Sequence, residues 1–207
     1  MTIERKPRAA LHRYRYSHSR PIHSARVRAS YPVSQVYSLG IGDTPLMSQI
    51  SLRSGLLLAA CILIPLIIGA IGTLITYPNI AGWFAGLSKP WFSPPNWVFG
   101  PVWTILYILM GISLWLVIRN GWEGADVRKG MVLFGLQLVA NFLWSVLFFG
   151  LQSPLGGLID ILVLLGLIIG TILVFRRISL PASYLLIPYL CWVCFATAVN
   201  AGVVILN

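Results

Sequence analysis

The 207-residue chain predicts an all-α integral membrane protein, a bundle of five transmembrane helices, and three observations carry that prediction. The composition is 57% hydrophobic and only 10% charged, with a mean hydropathy of +0.83, more apolar than a water-soluble core of this size requires. Five apolar stretches are each long enough to cross about 30 Å of hydrocarbon at about 1.5 Å per residue. They are continuous rather than alternating with period two, which favours helices that satisfy their own backbone in lipid over a barrel.

A basic tail over residues 1–52 precedes a membrane domain over 53–207. The first 46 residues hold eight Lys or Arg, two acids, three His and many Ser. They have no apolar period that would make a core, so they read as disordered. An Arg-rich, Ser-rich, acid-poor tail fits a targeting peptide, and a basic arm also fits contact with anionic lipid. The preferred reading is a third one: translation starts at Met47, because the chain from there already holds five spans.

The first span is placed at Leu56–Ile75. Its apolar run exceeds a signal-peptide core and lacks an A-x-A site, so cleavage is not expected. Four Trp and four Pro then fall within Trp83–Trp103, in the stretch WFAGLSKPWFSPPNWVFGPVW. This run is too proline-broken to continue a helix and too aromatic for an idle linker. Either an aromatic belt at the headgroup level or a lid over something bound between helices accounts for it. The second span, Val98–Ile118, carries Trp103, Tyr107, Met110 and Leu114 on one stripe. The third, Met131–Gly150, does the same with Gln137, Asn141, Trp144 and Phe148. Asp160 is the one acid well inside a span, in the fourth segment, Leu155–Phe175. It stands about a turn from the helix start, where a carboxylate suits the helix dipole, so a structural role is preferred to a functional one. Gly166 and Gly170 on that span permit close approach, within the bundle or at a dimer seam. The fifth span, Ala182–Leu206, presents Trp192, Ala196 and Asn200. The amides of Gln137, Asn141 and Asn200 should point into the bundle, either as glue between helices or as part of an aromatic-lined cavity.

Charge sets the expected orientation. The tail through Arg53, the loop Arg119–Gly130 and the turn at Arg176 and Arg177 share one side and hold 14 of the 15 basic residues, leaving Lys89 opposite. That bias puts the amino terminus inside and the carboxyl terminus outside. A prokaryotic plasma membrane is the expected location, or an organelle membrane if the tail is a targeting peptide. The net charge of +10 is thus explained by topology, with no nucleic-acid partner needed. Cys61, Cys191 and Cys194 all lie in spans and imply no disulfide framework. His12, His18 and His23 have no acidic or thiol companions at ligand spacing, so no metal is expected. No phosphate loop, nucleophile elbow or carboxylate pair is present, which argues against conventional hydrolytic or phosphoryl chemistry, and no cofactor is expected.

Taken in succession, W83FAGLSKPWFSPPNWVFGPVW103, Leu106-Tyr107, Met110-Gly111, LQLVANFLWSVLFFG ending at Gly150, and IPYLCWVCFATAVN ending at Asn200 resemble the TspO/MBR family of tryptophan-rich sensory and translocator proteins. The similarity covers roughly Arg53–Asn207. It implies a five-helix bundle, commonly a homodimer, that binds porphyrins, sterols and isoquinoline or benzodiazepine drugs in a cavity closed by the loop between the first two helices, here Pro78–Trp97. The family's pocket positions map onto Trp103, Asn141, Trp144, Trp192 and Ala196, with Trp83, Trp91, Pro94 and Pro95 from the loop; Tyr107 lies on the same face as Trp103. Some bacterial members are reported to degrade protoporphyrin in light, which would give Trp103 and Trp192 catalytic roles. The sterol pattern of animal members, a Tyr followed by Lys or Arg late in the fifth helix, is missing, since no basic residue follows Arg177. Lys89, Phe92 and Val98 meet the reversed pattern, which is too permissive to weigh. The expected function is membrane-embedded binding of a tetrapyrrole such as porphyrin or haem, for sensing or translocation. Light-dependent porphyrin degradation is the alternative.

Overall fold

The computed structural model describes residues 45–119 and 121–207, with side chains from Leu52 onward. Expectations about the tail before Pro45 lie outside these residues. Every secondary-structure element described is helical: α1 (Pro45–Asn79), α2 (Asn96–Ile118), α3 (Ala125–Ser145), α4 (Pro154–Ile178), α5 (Leu180–Leu185) and α6 (Ile187–Leu206). Five helical spans are long and apolar enough to cross a membrane: Leu52–Phe84, Asn96–Ile118, Ala125–Gly150, Pro154–Ile178 and Leu180–Leu206. The expected five-span, multi-pass architecture is therefore present.

The first helix corrects two boundaries. It begins at Pro45, ahead of the expected 52/53 division, and the Met47 start falls within it. It also runs past the expected end at Ile75 and through Pro78, widening into a π-helical turn at Ile80–Phe84. Proline removes one donor and crowds the preceding turn, and a wide turn two residues later absorbs the mismatch. Asn79 sits at that joint, its Nδ2 donating to the Ile75 carbonyl at 3.0 Å. Helix resumes at Asn96, where Pro95 precedes the first turn with extended backbone. The irregular connection is thus short, with helical backbone on both sides between Pro78 and Trp97. Its proline content had suggested a much longer loop.

The other ends follow local chemistry. Ser153 accepts the Gly156 N–H at 3.1 Å and Pro154 occupies the first turn of α4, while Arg176 and Arg177 stand in its last turn, where a helix end favours cations. The last span breaks at Leu186 between α5 and α6 because Pro188 cannot donate to the preceding turn. A second π-helical turn, Val146–Gly150, ends the third span.

Because the spans alternate, Arg119, Arg128, Lys129, Arg176 and Arg177 fall at the end where α1 starts, called here the basic end; Lys89 lies at the opposite, loop end. Packing is tight at the basic end. A Cβ at Gly111 of α2 would lie 2.4 Å from the Ile62 Cα of α1, and one at Gly130 would meet the Phe175 ring at 2.9 Å. Phe134 stacks on Phe175 with 6.1 Å between centroids, and Ser113 Oγ donates to the Ala182 carbonyl at 2.7 Å. Gly170 faces Leu133 of α3, whereas nothing approaches Gly166, so the two glycines do not share one contact. Asp160 is buried, its Oδ2 has no hydrogen-bond partner, and it lies beyond the first turn of α4, where the expected support from the helix dipole has faded.

Candidate functional site

At the loop end, α1, α2, α3 and α6 enclose a cavity of about 690 Å³. Its walls alternate small and aromatic residues. Gly69, Gly72, Thr73 and Thr76 come from α1 and Gly100 and Thr104 from α2; Phe84, Trp97, Phe99, Trp103, Trp144 and Phe148 supply the rings. A smaller recess opens beside it between Trp103, Asn141, Trp144, Trp192 and Ala196.

Two polar chains fix these walls. Tyr107 OH donates to Asn141 Oδ1 at 2.7 Å, and Asn141 Nδ2 donates to Tyr189 OH at 3.3 Å, joining α2, α3 and α6. Trp144 Nε1 donates to Asn200 Oδ1 at 3.1 Å, and Asn200 Nδ2 donates to the Pro154 carbonyl at 2.8 Å. The two amides are therefore both glue and wall, since their hydrogen bonds run to neighbouring helices while their side chains line the cavity. Gln137 is fully buried, as expected, yet neither amide atom has a partner and it does not reach the cavity.

The rings hold one another at fixed angles. Trp103 stacks on Tyr107 at 5.3 Å and meets Tyr189 edge-on at 6.1 Å. Trp144 stacks on Phe148 at 4.9 Å, and Trp192 meets Phe99 edge-on at 5.8 Å. Such contacts contribute about 0.5–1.5 kcal/mol beyond area burial, so the walls are stiff before anything binds. The indole N–H of Trp192 is buried without a partner beside the recess.

Of the residues singled out by sequence, Trp103, Tyr107, Asn141, Trp144 and Ala196 line the main cavity, and Trp192 lines the recess. Trp83 stands behind the wall, edge-on to Phe148 at 5.5 Å. Trp91 lies outside, 96% exposed and paired edge-on with Phe92. Pro94 and Pro95 shape the entry to α2 without lining the cavity. Phe84, Trp97, Phe99, Gly100, Phe149 and Phe195 were not singled out. Trp97 and Gly100 extend the Trp103 stripe backward at helical spacing; starting the second span at Val98 hid Trp97, and Gly100 has no side chain to mark the stripe. On α1, the residues 69, 72, 73 and 76 recur at three- and four-residue steps, but small side chains read as packing.

The connection between α1 and α2 is strapped to α6. The Ser88 N–H donates to Asn207 Oδ1 and Asn207 Nδ2 donates to the Ser88 carbonyl, both at 3.0 Å. Pro90 lies so close to Gly202 that an added Cβ would stand 2.7 Å from its ring, and Phe92 meets Phe195 at 6.4 Å. Lys89 Nζ caps the Leu87 carbonyl at 3.1 Å and lies 4.7 Å from the centre of the Phe84 ring.

The chain is similar to a "Tryptophan-rich protein TspO" of Chlorobaculum tepidum, 50% identical over 153 residues, covering 73% of this chain and 96% of that protein. A protein of the same name from Archaeoglobus fulgidus is 48% identical over 72% of this chain and 96% of its own length. The Homo sapiens "Translocator protein" is 40% identical over 57% of this chain and 70% of that protein. The model of the TspO/MBR family matches residues 61–206. Five apolar spans, a tryptophan-lined cavity and these matches agree: the chain belongs to the TspO/MBR family and is a multi-pass integral membrane protein of the sensor and translocator type.

Proposed function

We propose that this protein binds a flat, hydrophobic tetrapyrrole, porphyrin or haem, in the loop-end cavity, and that occupancy is sensed or the ligand handed on. The carrying observation is the cavity itself. Its roughly 690 Å³ lies within the range of about 300–1,000 Å³ typical of small-molecule sites, and its walls are aromatic with few polar groups. Flat faces such as Trp103 and Trp144 favour a planar conjugated ligand, and the small side chains of α1 and α2 leave room for its breadth. Trp83, Trp91, Pro94 and Pro95 act in this reading through the strap and the wall behind the cavity. Homodimerisation and a basic end facing inside belong to the same proposal, the latter from the positive-inside bias.

A second reading, light-driven porphyrin breakdown, is favoured by one observation: Trp103 and Trp192, on different helices, share the recess. A titration of the purified protein with protoporphyrin and haem, first in darkness and then in light, tests both. Binding predicts saturable quenching of tryptophan emission, with Trp103→Phe and Trp192→Phe each costing about 1 kcal/mol of affinity. Porphyrin bands that bleach faster than in protein-free detergent, with the excess lost in both variants, would establish the enzyme instead. No saturable binding of either compound would overturn the tetrapyrrole assignment.

A further inference from the structure

We infer that the cavity is loaded sideways from the bilayer, through a slot between α1 and α2, and so selects compounds dissolved in lipid. This deepens the proposed function and rests on the cavity being a ligand site. The two helices touch closely at Gly111 against Ile62, and again where Gly69 faces the Tyr107 ring. Beyond Tyr107 they part. A Cβ at Gly100 would meet nothing within 4 Å, and Gly100 and Thr104 on one rim face the cavity together with Thr73 and Thr76 on the other.

Three features make this slot a mouth rather than a packing flaw. Its flanks are apolar and outward-facing: Leu74 is 75% and Ile105 59% exposed, surfaces that a bilayer covers and water would not. Two of its three rim hydroxyls are satisfied within their own helices, Thr73 Oγ1 donating to the Gly69 carbonyl at 3.0 Å and Thr104 Oγ1 to the Gly100 carbonyl at 2.9 Å, so the rim shows few free donors to hydrocarbon. The alternative way in, beneath the strap, is held shut by the Ser88–Asn207 pair and by Pro90 seated on Gly202.

The test uses full-length protein in liposomes, with Cys61, Cys191 and Cys194 replaced by Ala and a single reporter introduced by Ala196→Cys, on the far wall from the slot. Labelling by a bilayer-dissolved pyrene maleimide is compared with labelling by a membrane-impermeant sulfonated maleimide. The pyrene reagent is expected to react at least about tenfold faster, and Gly100→Phe, which puts a ring into open space at the mouth, should slow it by at least about tenfold. Thr104→Phe serves the same purpose should Gly100→Phe not fold. Asn207→Ala, which frees the strap, should leave labelling unchanged. Labelling indifferent to both plugs, faster with the impermeant reagent, or accelerated by Asn207→Ala would overturn the lateral route. Slot-dependent labelling in a protein that fails to bind protoporphyrin would keep the route and retire the tetrapyrrole.

Discussion

At Gly111, α2 presses against the backbone of Cys61 and Ile62, whereas three turns away at Gly100 the same helix faces open space. Eleven residues apart, the two glycines lie on nearly the same side of α2, and both would be read from sequence as close-packing positions. The difference comes from what stands opposite. Ile62 and its neighbours fill the basic end, while Gly72, Thr73 and Thr76, beyond the contact of Gly69 with the Tyr107 ring, are too small to fill the loop end. Small residues in a membrane helix permit close approach but do not by themselves enforce it.

The sharpest way to break this comparison is to add the same methyl group or more at each end. Gly111→Val puts carbon into the Ile62 backbone, which cannot yield as a side chain would, and should cost about 3 kcal/mol or more in a detergent melt. Gly100→Ala should be neutral or gain about 0.5–1 kcal/mol from helix propensity. Equal losses at both positions would show that the loop end is as tightly packed as the basic end.

A smaller effect is expected from Asn141→Ala, which strands the Tyr107 and Tyr189 hydroxyls. In a membrane interior this should cost about 1–2 kcal/mol. Replacing both tyrosines by Phe in the same chain should recover much of it, because no buried polar group is then left alone. Failure to recover would mean that Asn141 holds the wall by shape and not by its hydrogen bonds. The smallest change belongs to Asn207→Ala. Losing two strap bonds should cost about 0.5 kcal/mol and raise amide hydrogen exchange at Ser88, with the basic end unaffected.

Much of the fold was legible because each span declares itself by uninterrupted apolar length, and five such lengths with caps such as Ser153-Pro154 leave little choice of architecture. The stripes Trp103–Tyr107 and Asn141–Trp144 were legible because aromatic and amide residues recur at helical spacing. The α1 wall was not. Pro78 reads as a stop signal, and nothing in the local sequence announces that Asn79 and a wide turn will carry the helix on to Phe84. Trp91 misleads in the opposite sense, because a tryptophan in a Trp/Pro run looks like a pocket residue until the strap turns it outward.

The first span is helical for 33 residues and the second for 23. At about 1.5 Å per residue they measure about 50 Å and about 35 Å, so one rim of the slot reaches well past the hydrocarbon of about 30 Å while the other nearly matches it. A change in bilayer thickness is therefore felt differently by the two rims of the slot. A thicker bilayer should accept more of α1 upright and a thinner one should lean it further. The chain length of the surrounding lipid thus becomes a setting on the width of the mouth.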